Sequence, residues 1–245
     1  MSYIGSFKRV EMKYLLSAEK YKALSEAVRP NLEEDQYGRT TICNIYFDTE
    51  NYDIISHSIE KCDYKEKLRL RSYGVPENDS MVFLEIKKKY DDVVYKRRIG
   101  LEYCEAVNFL ENGIPPQDNG QIFREIDYFM KHYKPEPKLF IAYDRTAFCG
   151  KEEKELRVTF DFNIRSRRDE LSLISGDSGK KLFDDDSVIM EIKANGAVPM
   201  WLAETLSELK IYKTSFSKYG QIYKNDIIKR EHISCLEASS IPLSV

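Results

Sequence analysis

The chain has 245 residues, 42% of them hydrophobic and 32% charged, with a formal net charge of −3. That length supports a sizeable core in one large domain or two small ones. The acidic balance is unlike the strong basic excess of a protein that lands on duplex nucleic acid. No apolar run nears 18 residues, and the start, MSYIGSFKRVEMKY, lacks a signal-peptide core and cleavage site. The expectation is a cytoplasmic protein with no membrane segment of its own.

In chain order, FKRVEMKY (7–14) reads as a strand, and Ser17 as the N-cap of a helix running to Arg29 and stopped by Pro30. TICNIYFDT (41–49) is β-rich. KEKLRLRSY and MVFLEIKKKY alternate as strands across the hairpin-like loop GVPENDS, and VVYKRRIGL (93–101) alternates again. The period then changes. EYCEAVNFLENG reads as a helix stopped at Gly113, and GQIFREIDYFMKHY as a longer amphipathic one. Strands resume with KLFIAYDRTAF (138–148) and KELRVTFDFNI (154–164). SGDSGKKLFDDD reads as a loop whose Asp184, Asp185 and Asp186 are solvated. SVIMEIKA (187–194) is a strand, Pro199 opens the helix PMWLAETLSEL, and TSFSKYGQIYKNDIIKR is a last helix. No linker divides the chain. We expect one α+β, predominantly antiparallel domain over residues 1–230 and a tail at 231–245.

Cys43, Cys62, Cys104, Cys149 and Cys235 are scattered without a CxxC pair, and His57, His132 and His232 are dispersed. Reduced thiols and no zinc site follow. The chemistry lies in the strands. EMK at 11–13, EIK at 85–87 and EIK at 191–193 each set a carboxylate and an ammonium two residues apart, on one strand face. Arg9 joins the first face. Lys67, Arg69 and Arg71 alternate with Leu68 and Leu70. Arg157 shares a face with Asp161, Tyr143 with Arg145, and Lys96 with Arg98. Nearly every strand is thus apolar on one side and charged on the other. Two arrangements satisfy the pattern: an open sheet with its charged face in water, or a barrel whose charged faces line a bore. So many cations in a bore repel one another unless an anion sits among them.

The ordered set RVEMKY, NIYFDT, KLRLRSYG, FLEIKKK, AYDR, LRVTFD, IMEIK, PMWL and SFSKYG, from about residue 5 to about 228, resembles the VTC (vacuolar transporter chaperone) catalytic domain. That family of polyphosphate polymerases lies within the triphosphate tunnel metalloenzymes. The resemblance is to the compact prokaryotic form, without the regulatory SPX domain and membrane segment of eukaryotic members. It implies a closed antiparallel β-barrel of about eight strands, with helices packed outside. It also implies transfer of the γ-phosphoryl group of ATP to inorganic polyphosphate with release of ADP.

By the same resemblance Lys13, Arg69, Arg71, Lys87, Arg145, Arg157, Lys193 and Lys218 contact phosphate, with Arg9 on the first strand's face. Lys96 or Arg98 supplies one more cation. Glu191 matches the metal-binding glutamate for Mn²⁺ or Mg²⁺. Glu11 and Glu85 are second metal candidates, or else hold neighbouring cations in place. Ser217, before Lys218, reads as part of a phosphate end-site or as an ordinary helix cap. Tyr143 either positions phosphate or fills the wall. Hydrolytic relatives begin with ExExK; here Arg9 stands where the extra carboxylate would be, which favours the polymerase over a triphosphatase. The family's coupling of synthesis to translocation makes a membrane-protein partner an expectation.

Overall fold

Apolar–charged alternation makes strands that must bury one face, and the chain buries it beneath helices. A computed structural model describes residues 9–226 apart from 61, 92 and 118. The elements are β1 (Arg9–Leu16), α1 (Ala18–Val28), β2 (Leu32–Glu34), β3 (Thr40–Asp48), α2 (Asp53–Ile59), β4 (Tyr64–Tyr73), β5 (Met81–Tyr90) and β6 (Val93–Glu102). There follow α3 (Tyr103–Asn112), α4 (Gln121–Tyr133), β7 (Glu136–Gly150), β8 (Arg157–Arg167), a 3₁₀ turn (Leu173–Ser175), β9 (Lys180–Lys181), β10 (Val188–Asn195) and α5 (Met200–Glu208). A further helix, α6, covers 218–226. The tail expected at 231–245 lies outside the described residues.

Local chemistry sets several boundaries. Ser17 Oγ accepts from the Lys20 N–H at 3.2 Å and starts α1. Gly113, at φ 69°, ends α3 by donating its N–H to the Phe109 carbonyl. In α4, Phe123, Ile126 and Phe129 recur every third residue and are buried, each worth about 1.5–3 kcal/mol when removed from water. Pro199 precedes α5 as its N-cap residue.

All strands join one antiparallel sheet, along the path β1-β10-β8-β7-β3-β4-β5-β6, with β2 on β7 and β9 on β8. The sheet curls. On its convex side Leu68, Leu84, Ile86 and Ile99 pack under Phe109 of α3 and Phe123, Ile126 and Phe129 of α4. At the other end of the path Tyr14, Leu16, Val158, Phe160 and Met190 pack under Leu24 and Val28 of α1 and Leu202 and Leu206 of α5. A third cluster occupies part of the concave side, where Tyr46, Ile141, Tyr143 and Ile189 meet Ile55 of α2, Tyr219 and Ile222. Buried Asp48 links these last helices: it accepts from the Ile54 and Ile55 N–H groups at 2.9 and 3.0 Å and from Tyr219 Oη at 2.7 Å.

Three expectations are corrected. The barrel is not closed, because among the described residues no backbone ladder joins β1 to β6. The free edge of β1 is instead occupied at one point by Thr214, whose N–H donates to the Lys13 carbonyl at 2.8 Å, and side chains span the remaining gap. Nor are all helices outside, since α2 and α6 contribute to the concave cluster. The last helix also begins later than its composition suggests: 214–217 is an extended strap, and helix starts at 218.

Candidate phosphate-binding chamber

Strand alternation directs one charged set from β1, β10, β8, β7, β4, β5 and β6 to the concave side, while others, such as Glu66 and Lys88, face the opposite way. Register brings them together: Lys13 opposes Glu191, Glu11 opposes Lys193, Arg145 opposes Asp161, Lys67 opposes Lys87, Lys87 opposes Lys96, and Glu85 opposes both Arg69 and Arg98. Contacts between distant strands show that the curl is tight. Lys96 of β6 donates to Glu11 of β1 at 2.9 Å, and Lys13 and Lys67 both reach the strap, donating to the Phe216 carbonyl at 3.2 Å and to Ser217 Oγ at 3.1 Å.

Every inward carboxylate is held by cations. Asp161, buried, accepts from Arg145 Nε at 2.6 Å and Nη2 at 2.8 Å and from Lys218 Nζ at 2.5 Å. Burial would raise its pKa, but Lys218 and Arg145 hold it far below the usual carboxylate range. Glu85 accepts from Arg69 Nε at 2.7 Å and stands 3.6 Å from Arg71. Despite burial, those two guanidiniums lower it. Glu191 pairs with Lys193 at 2.5 Å and with Lys13 at 3.9 Å, and Lys193 lowers it against burial. Burial would also raise Glu11, yet Lys96, Lys87 and Lys193 bring it to about 2.

The cations outnumber these carboxylates by more than two to one, and some have none. Burial, aided by Lys87, Lys13, Lys65 and Arg69, lowers the Lys67 pKa to about 7. Lys87 falls to about 8, chiefly through burial, with Glu11 opposing and Lys96 and Lys13 reinforcing. Tyr143 is buried beneath Lys218 and Arg145, 4.3 and 5.2 Å from its ring, and accepts from Arg71 at 3.3 Å. Burial would raise its phenol, but Arg71, Arg145 and Lys218 bring it down to about 8. Two like charges 4 Å apart repel by about 4 kcal/mol at an effective dielectric near 20. A multivalent anion of small cross-section relieves many such pairs at once.

The expected site residues divide by position. Lys13, Arg69, Arg71, Lys87, Lys96, Arg98, Tyr143, Arg145, Glu191, Lys193, Ser217 and Lys218 share the concave side with Glu11 and Glu85. Arg157 is on that strand face but pairs with Asp35 at 2.7 Å and is exposed. Arg98 lies over the Phe83 ring at 4.6 Å, opposite Glu85. Ser217 caps α6, accepting from the Gly220 N–H at 3.2 Å. The Arg9 backbone pairs with Asn195; its side chain lies outside the described residues. Sequence reasoning missed Asn44, which receives Arg71 Nε at 3.0 Å, and Tyr46, whose hydroxyl receives Arg69 at 3.1 Å. Their alternation with Cys43, Ile45 and Phe47 was the available signal.

The VTC domain family model matches residues 8–225. The chain belongs to the VTC domain family. This VTC domain shares its fold with a candidate adenylate cyclase from Bacillus halodurans, at 15% identity and a TM-score of 0.53, over 85% of this chain and 93% of that one. It is similarly like a candidate adenylyl cyclase from Hippeastrum described as having a dominant triphosphatase activity, at 14% identity and a TM-score of 0.53, over 89% and 96%. At such identities the likeness is one of fold. No helix among the described residues of the VTC domain is long and apolar enough to cross a membrane.

Proposed function

We propose that this VTC domain is a polyphosphate polymerase that transfers the γ-phosphoryl group of ATP to the end of an inorganic polyphosphate chain. The observation that carries this reading is the state of the inward carboxylates. Glu11, Glu85, Asp161 and Glu191 are all held below their ordinary pKa by paired cations, so all are poor bases for activating water. A terminal phosphate of the growing chain is already an anionic nucleophile and needs no base. Its oxygen forms the new bond to the γ-phosphorus as the bond to the β-phosphate oxygen breaks, and ADP leaves with that electron pair. The chain's own contribution is positioning and charge neutralisation. Arginine forks suit phosphate oxygens bidentately, and lysines act as point charges.

The donor set fits a hard divalent cation. Glu191 and Glu11 lie close enough to influence one another, and beside Glu191 the buried Thr159 hydroxyl has no hydrogen-bond partner. No group of three or more His, Cys, Asp or Glu placed to hold a metal ion occurs among the described residues. Glu191, with Glu11 adjacent, would therefore hold Mn²⁺ or Mg²⁺ with substrate phosphates and water completing the shell. The bound ion would supply neutralisation of phosphate charge. Glu85, committed to Arg69, serves the arginines.

The test is product analysis. With ATP and Mn²⁺ the expected products are ADP and chains visible on a polyphosphate-stained gel. The Hippeastrum fold relative makes hydrolysis the rival outcome: phosphate or pyrophosphate release without chains would overturn the polymerase. Saturable polyphosphate binding without turnover would mark a binding module instead.

A further inference from the structure

Lys67 is unlike the arginines of its own strand and the paired lysines of the chamber wall. Arg69 and Arg71 on the same strand face share Glu85. Lys13 and Lys193 share Glu191, and Lys218 and Arg145 share Asp161. Lys67 is half-buried, and its contact is the neutral Ser217 hydroxyl. The charged groups that act on it most strongly are Lys87 from β5, Lys13 from β1, and Lys65 and Arg69 from β4, all cationic. Ser217 Oγ already receives the Gly220 N–H, so Lys67 and the first turn of α6 converge on one hydroxyl.

An ammonium set among ammonium and guanidinium groups, with a hydroxyl as its partner, is an incomplete arrangement. Resting on the chamber reading above, we propose that Lys67 is a substrate-contacting residue: it donates to a phosphate oxygen of the bound chain, next to Ser217, and binds as the full ammonium. A phosphate there supplies the counter-charge that neither β4 nor the strap provides. It also bridges Lys67 to Lys13 and Lys87, joining β1 to β4 and β5 through one anion.

The free-state chemistry gives this contact a signature. Burial, reinforced by the surrounding cations, brings Lys67 down to about 7 and leaves it mostly neutral at pH 8, and a phosphate partner restores the proton. Binding is then coupled to proton uptake and strengthens as pH falls from about 9 towards 7. Lys87, also lowered, contributes to that slope. Comparing variants separates the Lys67 share and cancels the ligand's own protonation.

The experiment is calorimetric titration of the full chain with inorganic triphosphate, at several pH values and in buffers of different ionisation enthalpy. Lys67→Met should weaken binding at pH 7 by about ten- to a hundredfold, the loss of one charge-assisted hydrogen bond. Lys67→Arg, permanently charged, should bind near the parental affinity at pH 7 and take up fewer protons at pH 8. Parental binding and parental proton uptake in both variants would overturn the role of Lys67 while leaving the chamber intact. Failure of the folded parent to bind triphosphate would overturn the chamber, and the Lys67 assignment with it. Parental melting temperatures in the arginine variant guard against misreading a folding defect.

Discussion

Lys96 on β6 reaches Glu11 on β1 at 2.9 Å, across an edge-to-edge gap that no backbone ladder closes. A charged side-chain pair thus completes the ring that peptide hydrogen bonds leave open.

That contact predicts a pH-dependent stability difference. The Glu11 carboxyl is lowered to about 2 from its ordinary value of 4.5. A depressed carboxylate stabilises the fold above its unfolded-state pKa, and the effect fades as pH falls through the folded value. Glu11→Gln should therefore melt roughly 1–4 °C below the parent at neutral pH and low salt. The gap should narrow steadily below about pH 4.5. A gap independent of pH, read by thermal melts, would contradict the pairing.

Asp161 is a more demanding case. It is buried and holds both Arg145 and Lys218. Asp161→Asn removes the charge and leaves two cations uncompensated, so urea unfolding should show a loss of about 3–5 kcal/mol. Inorganic triphosphate should recover part of it, because an anion can take the place of the lost carboxylate. A loss below about 1 kcal/mol would mean that the pair is effectively solvent-screened.

Glu191→Gln tests the proposed metal position. Metal-dependent turnover of ATP should disappear, while triphosphate binding measured without metal should persist, because the surrounding lysines remain. Equal Mn²⁺-dependent activity in variant and parent would remove Glu191 from that role.

The cation excess predicts strong stabilisation by ligand. At a hundred times its dissociation constant, triphosphate should add about 2.7 kcal/mol, or roughly 5–10 °C in melting temperature for a chain of this size. The shift should shrink as salt rises, since added ions screen the same charges. A melting curve that ignores saturating triphosphate would exclude a phosphate-binding chamber.

The strand faces were legible in the sequence because a period of two is a local property: Lys67, Arg69 and Arg71 must oppose Leu68 and Leu70 in any extended chain. Ser17 and Gly113 marked helix ends for equally local reasons. The short β2 and α2 went unread; α2 begins after Tyr52 in a left-handed conformation and is held by Asp48, a tertiary contact. Curl is likewise invisible to alternation. An open sheet and a barrel need the same pattern, and only coordinates show the side chains of β1 and β6 meeting while their backbones do not. Which cation has a carboxylate was also a tertiary decision. Glu85 and Glu191 each stand two residues before a lysine in sequence; register turns Glu85 to Arg69 across the ladder, whereas Glu191 keeps its own strand's Lys193 and gains Lys13 across the ladder, and Lys67 is left facing a serine. Sequence determined the composition of each face; the folded sheet determined what each charge faces, because Coulomb and hydrogen-bond energies depend on distances that only packing sets.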